Sequence, residues 1–262
     1  MLFLKTIKFI ITLLLLLAIS SLYASAISPT EKINWHYKSK GDNARPEILG
    51  GMNIPELENA LYIGNEDDKT VYLTFDIGYS NENLEKILDI LKSHDMKAAF
   101  FILPGIIKYS PEVVKRIADE GHLVCNHTTS HGDMSKITDI EQFQKELSGI
   151  ESYYKETYGL DMEKYFRPPQ GTFSVKTLEF CKELGYTPVF WSFAYADWDN
   201  NKQLDPEKAK EKILSLTHNG MVMLLHPTSK TNADILDEVI CELKSRGYSF
   251  GTLDELSNSL KR

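Results

Sequence analysis

The sequence predicts an α/β fold: a single domain built as a distorted (β/α) barrel of about seven parallel strands. Three observations lead there. Short runs of β-branched and aromatic residues alternate with stretches whose apolar residues recur at helical spacing. The connections between them are short and punctuated by Gly, Pro, Ser and Asn. Most of the strand-like runs stop at a polar or ionisable residue, as expected where strand ends converge on the ligand-binding face of a barrel.

The first 26 residues stand outside this pattern. Lys5 and Lys8 precede an apolar run from Phe9 to Ala18, and "ASA" (Ala24 to Ala26) offers a small-residue cleavage site, the layout of a secretory signal peptide. Cleavage after Ala26 and secretion are expected, with an uncleaved membrane anchor as the alternative. Residues 27–68, rich in Pro, Gly, Asn and charge, read as a lead-in segment packed on the domain through Trp35, Tyr37, Ile48 and Leu61. The domain proper is expected over residues 69–262.

Within it, "VYLTF" begins the first strand, followed by a helix over residues 83–93 with Leu84, Ile87, Leu88 and Leu91 on one face. "KAAFFI" is the second strand, and "SPEVVKRIADEG" a helix capped by Ser110, with Pro111 in its first turn and Gly121 as its stop. "HLVCN" is the third strand, residues 140–158 a long helix, and a short strand ends at Phe166. "SVKTLEFCKELG" is a Ser-capped helix, "TPVFWS" a strand, "DPEKAKEKILSLTHNG" a helix and "MVMLLH" a strand. "NADILDEVICELKSRG" (helix), "YSFGTL" (strand) and a terminal helix complete the chain.

With 262 residues, 42% of them hydrophobic, the chain has ample material for one large core. Its net charge is −8 and the leader takes two lysines with it, so nucleic acid is excluded as a partner and no polybasic lipid-binding surface is evident. Cys125, Cys181 and Cys241 are too few and too far apart for a disulfide framework, and each lies in an apolar segment that suggests a buried thiol.

The strand ends carry the chemistry. Asp76 ends the first strand, where the alternatives are a turn or cap residue and a pocket carboxylate. His127 and His131, four apart in "HTTSH", fit two imidazoles projecting from one helical turn onto a metal ion, the alternative being a surface coincidence. Asn126, Thr128 and Ser130 are placed to hydrogen-bond around that pair. His226 follows the buried run "MVMLL" and suits a proton donor, with Asp197 as its orienting partner and Trp191 and Trp198 as pocket walls. Arg167, held between Phe166 and a Pro-Pro pair, is a partner for Asp76 or a residue of a rim salt bridge. His36, His94 and His218 are expected to be solvated and His122 structural.

Five motifs, "TFDIG", "HTTSH", "RPPQG", "ADW" and "LLH", occur in an order that resembles the polysaccharide deacetylase family, the NodB-homology domain of carbohydrate esterase family four. The segments "INWHY", "YIGN", "FDIGYSNEN", "FWSFAYADW" and "LLHPTSKTNADIL" look most like its branch of N-acetylmuramic acid deacetylases that lead to the muramic δ-lactam of spore cortex. The resemblance implies a hydrolytic deacetylase in which Asp76 is the catalytic base, Arg167 holds it, His226 is the general acid and Asp197 tunes that acid. It also implies that His127 and His131 bind a divalent metal, zinc being the expected ion, and that a backbone N–H near Gln170 meets the oxyanion. Gln170, Trp198 and Tyr79 are the implied substrate-binding residues, and the "SKTN" segment (Ser229 to Asn232) is expected to meet the lactyl group of muramic acid.

One position departs from the family pattern: Ile77 stands where the motif has a second Asp, the third metal ligand. Weak metal binding is the expected consequence, with Asp133 as either a replacement ligand or a helix cap. The expected partner is the peptidoglycan glycan strand, met by a monomer in the cell wall or developing spore envelope. The alternatives are a deacetylase of another N- or O-acetylated polysaccharide and a catalytically silent glycan-binding member of the fold, which Ile77 favours and the retained acid and base oppose.

Overall fold

The structure is a computed structural model describing residues 27–261; the signal-peptide expectation falls on residues outside that range. Three two-residue strands come first: β1 (Ile33–Asn34), β2 (Tyr37–Lys38) and β3 (Glu47–Ile48). There follow β4 (Thr70–Ile77), α1 (Glu82–Ser93), β5 (Ala99–Ile102), α2 (Pro104–Tyr109), α3 (Pro111–Asp119), β6 (Leu123–Asn126) and α4 (Ile140–Tyr158). The chain continues through β7 (Glu163–Phe166), β8 (Thr172–Phe173), α5 (Val175–Glu183), β9 (Thr187–Pro188), α6 (Pro206–Leu216), β10 (Met221–Leu225), α7 (Lys230–Ser245), β11 (Ser249–Gly251) and α8 (Leu253–Leu260). Among the described residues no helix is long and apolar enough to cross a membrane.

The 7-stranded sheet runs β10-β4-β5-β6-β7-β9, with β11 added beside β4, and its pairings are all parallel. Parallel strands need crossovers, and helices supply them, so both faces of the sheet are covered and the strands are apolar throughout. Along β4 the side chains alternate. Val71, Leu73, Phe75 and Ile77 enter the large core shared with Leu84, Ile87, Leu88 and Leu91 of α1. Tyr72 joins Phe101, Cys125 and Val222 in a second, inner layer. Thr74 and Asp76 have the inner parity too, which is what turns Asp76 toward the barrel mouth.

Local signals set the helix ends. Asn81 caps α1 by accepting from the Asn83 N–H, Asp139 caps α4 by accepting from that of Gln142, and Gly159 ends α4 in the left-handed region at φ 70°. A reciprocal Ser174–Thr177 capping box opens α5. Ser110 stands at the start of α3 but makes no side-chain cap, because it also closes α2, a short helix the sequence did not announce.

The fifth strand is shorter than "TPVFWS" suggested. Regular pairing stops at Pro188, whose ring removes a ladder donor. The chain then turns from β7 toward β10: Val189 N–H donates to Phe166 O (2.8 Å), whereas Phe193 N–H donates to Val222 O (3.2 Å). A parallel bridge of Phe193 to Met223 brings the β9 and β10 sides together, so closure of the barrel is irregular rather than a continuous ladder.

The lead-in segment braces that irregular stretch. Trp35 stacks on Phe190 with ring centroids 4.2 Å apart, and its Nε1–H donates to Trp191 O at 2.8 Å. The Tyr37 hydroxyl donates to Ala194 O at 2.7 Å. Two expectations are corrected here. Cys241 is exposed, unlike buried Cys125 and Cys181, because it lies on the outer side of α7. His218 is buried: its Nδ1–H donates to Leu216 O (3.0 Å), and its Nε2 accepts from the Ser192 hydroxyl (2.9 Å).

Candidate active site

The carboxyl ends of β4, β6, β7 and β10 open onto one pocket lined by Asp76, His127, His131, Gln170 and His226. Its apolar wall is Tyr79, Leu103, Trp191, Tyr195 and Trp198. All nine residues predicted for the site are therefore accounted for around one cavity, seven lining it and Arg167 and Asp197 buried behind.

On the β4 side, Arg167 Nη1 donates to Asp76 Oδ1 at 2.7 Å and Nη2 to the Thr74 hydroxyl at 2.9 Å. Its Nε donates to Val189 O at 3.2 Å, and the guanidinium lies 4.1 Å from the Phe101 ring centre. Arg167 is fully buried, which rules out the rim salt bridge. Burial pushes the Asp76 carboxyl up, but Arg167 and the neighbouring His127 and His226 outweigh it and hold Asp76 below the usual carboxylate range.

The histidine pair is not on a helical turn. Residues 127–133 form an irregular loop in which Thr128 (φ 76°) and His131 (φ 57°) are left-handed, and these bends bring the two rings to 5.1 Å between centroids. Thr128 is held by its N–H on Asn126 Oδ1 (2.9 Å), and its hydroxyl accepts from His131 N–H (2.9 Å). Ser130, by contrast, is tied outward through its N–H to Glu146. His127 Nδ1–H donates to Arg167 O at 2.9 Å, which turns Nε2 toward Asp76, 3.6 Å from Oδ2. Burial pushes the His127 pKa down to about 4, against the pull of Asp76, and lowers His131 as well.

Across the pocket, His226 Nδ1–H donates to Asp197 Oδ1 at 2.7 Å, and His226 N–H to Asp197 Oδ2 at 2.8 Å. Burial lowers the His226 pKa, but the bond and charge of Asp197 prevail and raise it above the ordinary imidazole value. Trp198, 61% exposed, meets the His226 ring edge-on at 6.2 Å. Tyr79 is also exposed, its hydroxyl accepting from Asn200 Nδ2 at 2.8 Å. Gln170 adopts φ 58° beside Gly171. A Cβ at residue 171 would lie 2.7 Å from Trp191 Cη2 and 2.8 Å from Trp35 Cβ, so only glycine allows this close approach.

Of the two roles expected for Asp133 the structure selects the cap: it caps a 3-10 turn, accepting from Ser135 N–H (3.2 Å) and Lys32 Nζ (2.9 Å), and is not a replacement ligand. The "SKTN" segment is no substrate loop: Ser229 caps α7, and Asn232 is buried behind Asp197. Thr228 lines the pocket instead, its carbonyl accepting from Asn81 Nδ2 (2.8 Å) and Asn83 Nδ2 (3.0 Å). Sequence reasoning missed Tyr195 and Thr228. Tyr195 sits in the quoted "FWSFAYADW" stretch two residues before Asp197, an aromatic whose nearness to that candidate could have flagged it.

Known proteins resemble this chain over most of its length. The family description Polysaccharide deacetylase matches residues 63–189. The Bacillus subtilis (strain 168) peptidoglycan-N-acetylmuramic acid deacetylase PdaA is 40% identical over 243 residues, 92% of this chain and 91% of that protein. A Bacillus cereus peptidoglycan-N-acetylglucosamine deacetylase is 33% identical over 76% of this chain and 72% of that one. The solved structure of B. subtilis PdaA, a family 4 carbohydrate esterase, superposes with a TM-score of 0.81 at 37% identity, over 87% of this chain and 98% of that one.

Such deacetylases are metal-dependent in general. The donor set here fits a metal in part. The lone pair of His127 Nε2 faces a carboxylate oxygen, an arrangement a cation between them satisfies, and both imidazoles are neutral near pH 7. Ile77 offers no ligand, and among the described residues Asp76, His127 and His131 do not bring three ligand atoms within 4.8 Å of one another. The group that does, His94, Asp237 and Cys241, lies on the surface, where Asp237 already holds His94 Nε2 at 2.8 Å and the Lys244 ammonium sits 3.3 Å from Nδ1. With its fold, its pocket and its relatives in agreement, the chain belongs to the polysaccharide deacetylase family, carbohydrate esterase family 4, hydrolases that act on acetylated glycans.

Proposed function

We propose that this protein removes the N-acetyl group from N-acetylmuramic acid in peptidoglycan glycan strands, on the route to the muramic δ-lactam of spore cortex, and that it acts as a secreted monomer. The observation that carries the reading is the pair of oppositely tuned groups facing one pocket. Asp76 is held ionised by Arg167, and His226 is held protonated toward neutrality by Asp197. Similarity over nearly the whole length to a deacetylase named for N-acetylmuramic acid supports the choice of sugar.

In this reading the acetamide lies between the two groups, against Tyr79, Trp198 and Gln170. Asp76 takes the proton from the attacking water as the tetrahedral centre forms. The main-chain N–H of Gln170, whose neighbours Gly171 and Thr172 already donate to Pro168 O and Pro169 O, faces the developing oxyanion. His226 then gives its proton to the leaving amine, and the charge it loses was balanced by Asp197. His127 and His131 would hold a divalent metal, zinc by the character of its ligands, which supplies Lewis-acid polarisation when bound. Ile77 makes that binding weak.

The test is mass spectrometry of muropeptides from glycan strands treated with the pure protein. Acetate loss from muramic residues is expected. Loss confined to glucosamine, the sugar named for the B. cereus relative, or equal activity on chitin oligomers, overturns the choice of sugar.

A further inference from the structure

We propose that Asn232 is a positioning residue for the deacetylation: its side-chain amide fixes Asp197 and, through it, keeps His226 in the Nδ1–H tautomer with Nε2 free for the substrate. The proposal rests on reading His226 as the proton donor. Asn232 itself touches nothing in the pocket. It lies in the first turn of α7, 1% exposed, and every polar atom of its side chain is committed.

Asn232 Nδ2 donates to Asp197 Oδ2 at 2.6 Å and to His226 O at 3.1 Å. Its Oδ1 accepts from the Tyr195 hydroxyl, and its main-chain N–H donates to the Ser229 hydroxyl at 3.1 Å. Flipping the amide would set its oxygen against the Asp197 carboxylate, so a single orientation satisfies all partners. The carboxylate is thereby clamped from three sides: Oδ1 by the imidazole, Oδ2 by the His226 main chain and by Asn232. A carboxylate that is 1% exposed has no water to replace a missing donor, so its orientation depends on these bonds.

The consequence reaches the proton. A carboxylate fixed at Nδ1 dictates which ring nitrogen carries the hydrogen in the neutral imidazole, and so leaves Nε2 as the site that loads and unloads the proton facing the substrate. Tyr195 is the outer end of the same chain: its ring lines the pocket while its hydroxyl holds Asn232 in place. The aromatic wall and the acid are thus parts of one hydrogen-bonded unit.

The experiment compares the wild-type protein with Asn232→Leu, which keeps the volume and removes the donors, and with Tyr195→Phe, which removes only the outer hydroxyl. Steady-state kinetics and nitrogen-15 spectra of the His226 ring are read on each, with His226→Ala alongside. In Asn232→Leu we expect kcat to fall by about 10- to 100-fold, the range for lost orienting partners, with KM unchanged and the ring passing from the Nδ1–H form to a mixture of tautomers. Tyr195→Phe should move both readouts the same way by less. Wild-type kcat in folded Asn232→Leu, a loss confined to KM, or an intact Nδ1–H tautomer overturns the proposal. If Asn232→Leu does not fold, wild-type values in Tyr195→Phe overturn it equally. Full turnover by His226→Ala would instead fail the proton-donor reading underneath, whereas an inactive His226→Ala beside an active Asn232→Leu fails the positioning role alone.

Discussion

Replacing Arg167 by methionine tests the base side of the site most severely. The guanidinium side chain is 0% exposed and that of Asp76 11%, so the pair is held almost out of water. Breaking a buried pair by removing one partner costs about 3–5 kcal/mol, because the survivor is an uncompensated charge. Here Val189 O also loses a donor, whereas the Thr74 hydroxyl still donates to Met223 O at 2.8 Å and is not orphaned. Arg167→Met should therefore lose about 3–5 kcal/mol at neutral pH, measured by urea unfolding followed by tryptophan fluorescence. The sign of the pH dependence is diagnostic. In the wild type the Asp76 pKa is lowered, so its contribution is present above the unfolded pKa and is lost as pH falls through the folded one. Without Arg167, burial dominates and raises that pKa, so the variant's deficit should grow as pH rises past the unfolded carboxyl value. Adding Asp76→Asn should recover much of the stability while leaving the enzyme inactive. A single variant within about 1 kcal/mol of wild type, or a double variant no more stable than the single, refutes the buried-pair account.

Three further outcomes are expected. Asp76→Asn and His226→Ala should each lower acetate release by about 100- to 10,000-fold with unfolding curves that still show a folded protein, and near wild-type turnover in either would mean its role is misassigned. Dialysis against a chelator should strip the metal and activity together, with zinc or cobalt restoring part of the latter; Ile77→Asp should bind zinc more tightly, seen as a larger zinc-dependent rise in Tm, and equal affinity would discount Ile77 as the cause of weak binding. Acid should destabilise the fold through His218, whose burial lowers its pKa from 6.5 to about 4. Its contribution is complete above the unfolded value and lost as pH falls toward the folded one, at most about 3 kcal/mol, and His218→Gln should flatten that slope in thermal melts.

Asp76, Arg167 and His226 were legible as pocket residues because each follows an apolar run that must be a buried strand, and barrel closure alone then brings them together. What was hidden depends on groups meeting across the chain. The bends at Thr128 and His131 belong to a loop held by Asn126 and Glu146, and no residue spacing encodes them. His218 read as solvated because it ends a polar helix, yet Ser192, 26 positions away, accepts it into the core. Asn232 read both as the end of the "SKTN" substrate segment and as the start of the next helix; Ser229, which opens that segment, is the cap that starts α7 and puts Asn232 in its first turn, behind Asp197.

The position of Ile77 explains how the site can lose a carboxylate without losing its order. Asp76 and His226 are each oriented by partners outside the histidine pair: Asp76 by Arg167, His226 by Asp197 and, through it, Asn232. Ile77, meanwhile, is 3% exposed and joins the core beneath α1 as well as the pocket wall. An aspartate in its place would withdraw apolar surface from that core and set a second carboxylate beside Asp76, a like-charge pair that a bound cation would relieve. The two residues are therefore alternatives with different dependencies. Aspartate would couple the stability of the strand end to a metal, whereas isoleucine secures the strand end by packing and would leave a metal only the two imidazoles. Ile77→Asp should accordingly be less stable than wild type in chelator and regain that loss in zinc, and a variant equally stable under both conditions would show that the strand end is indifferent to the charge.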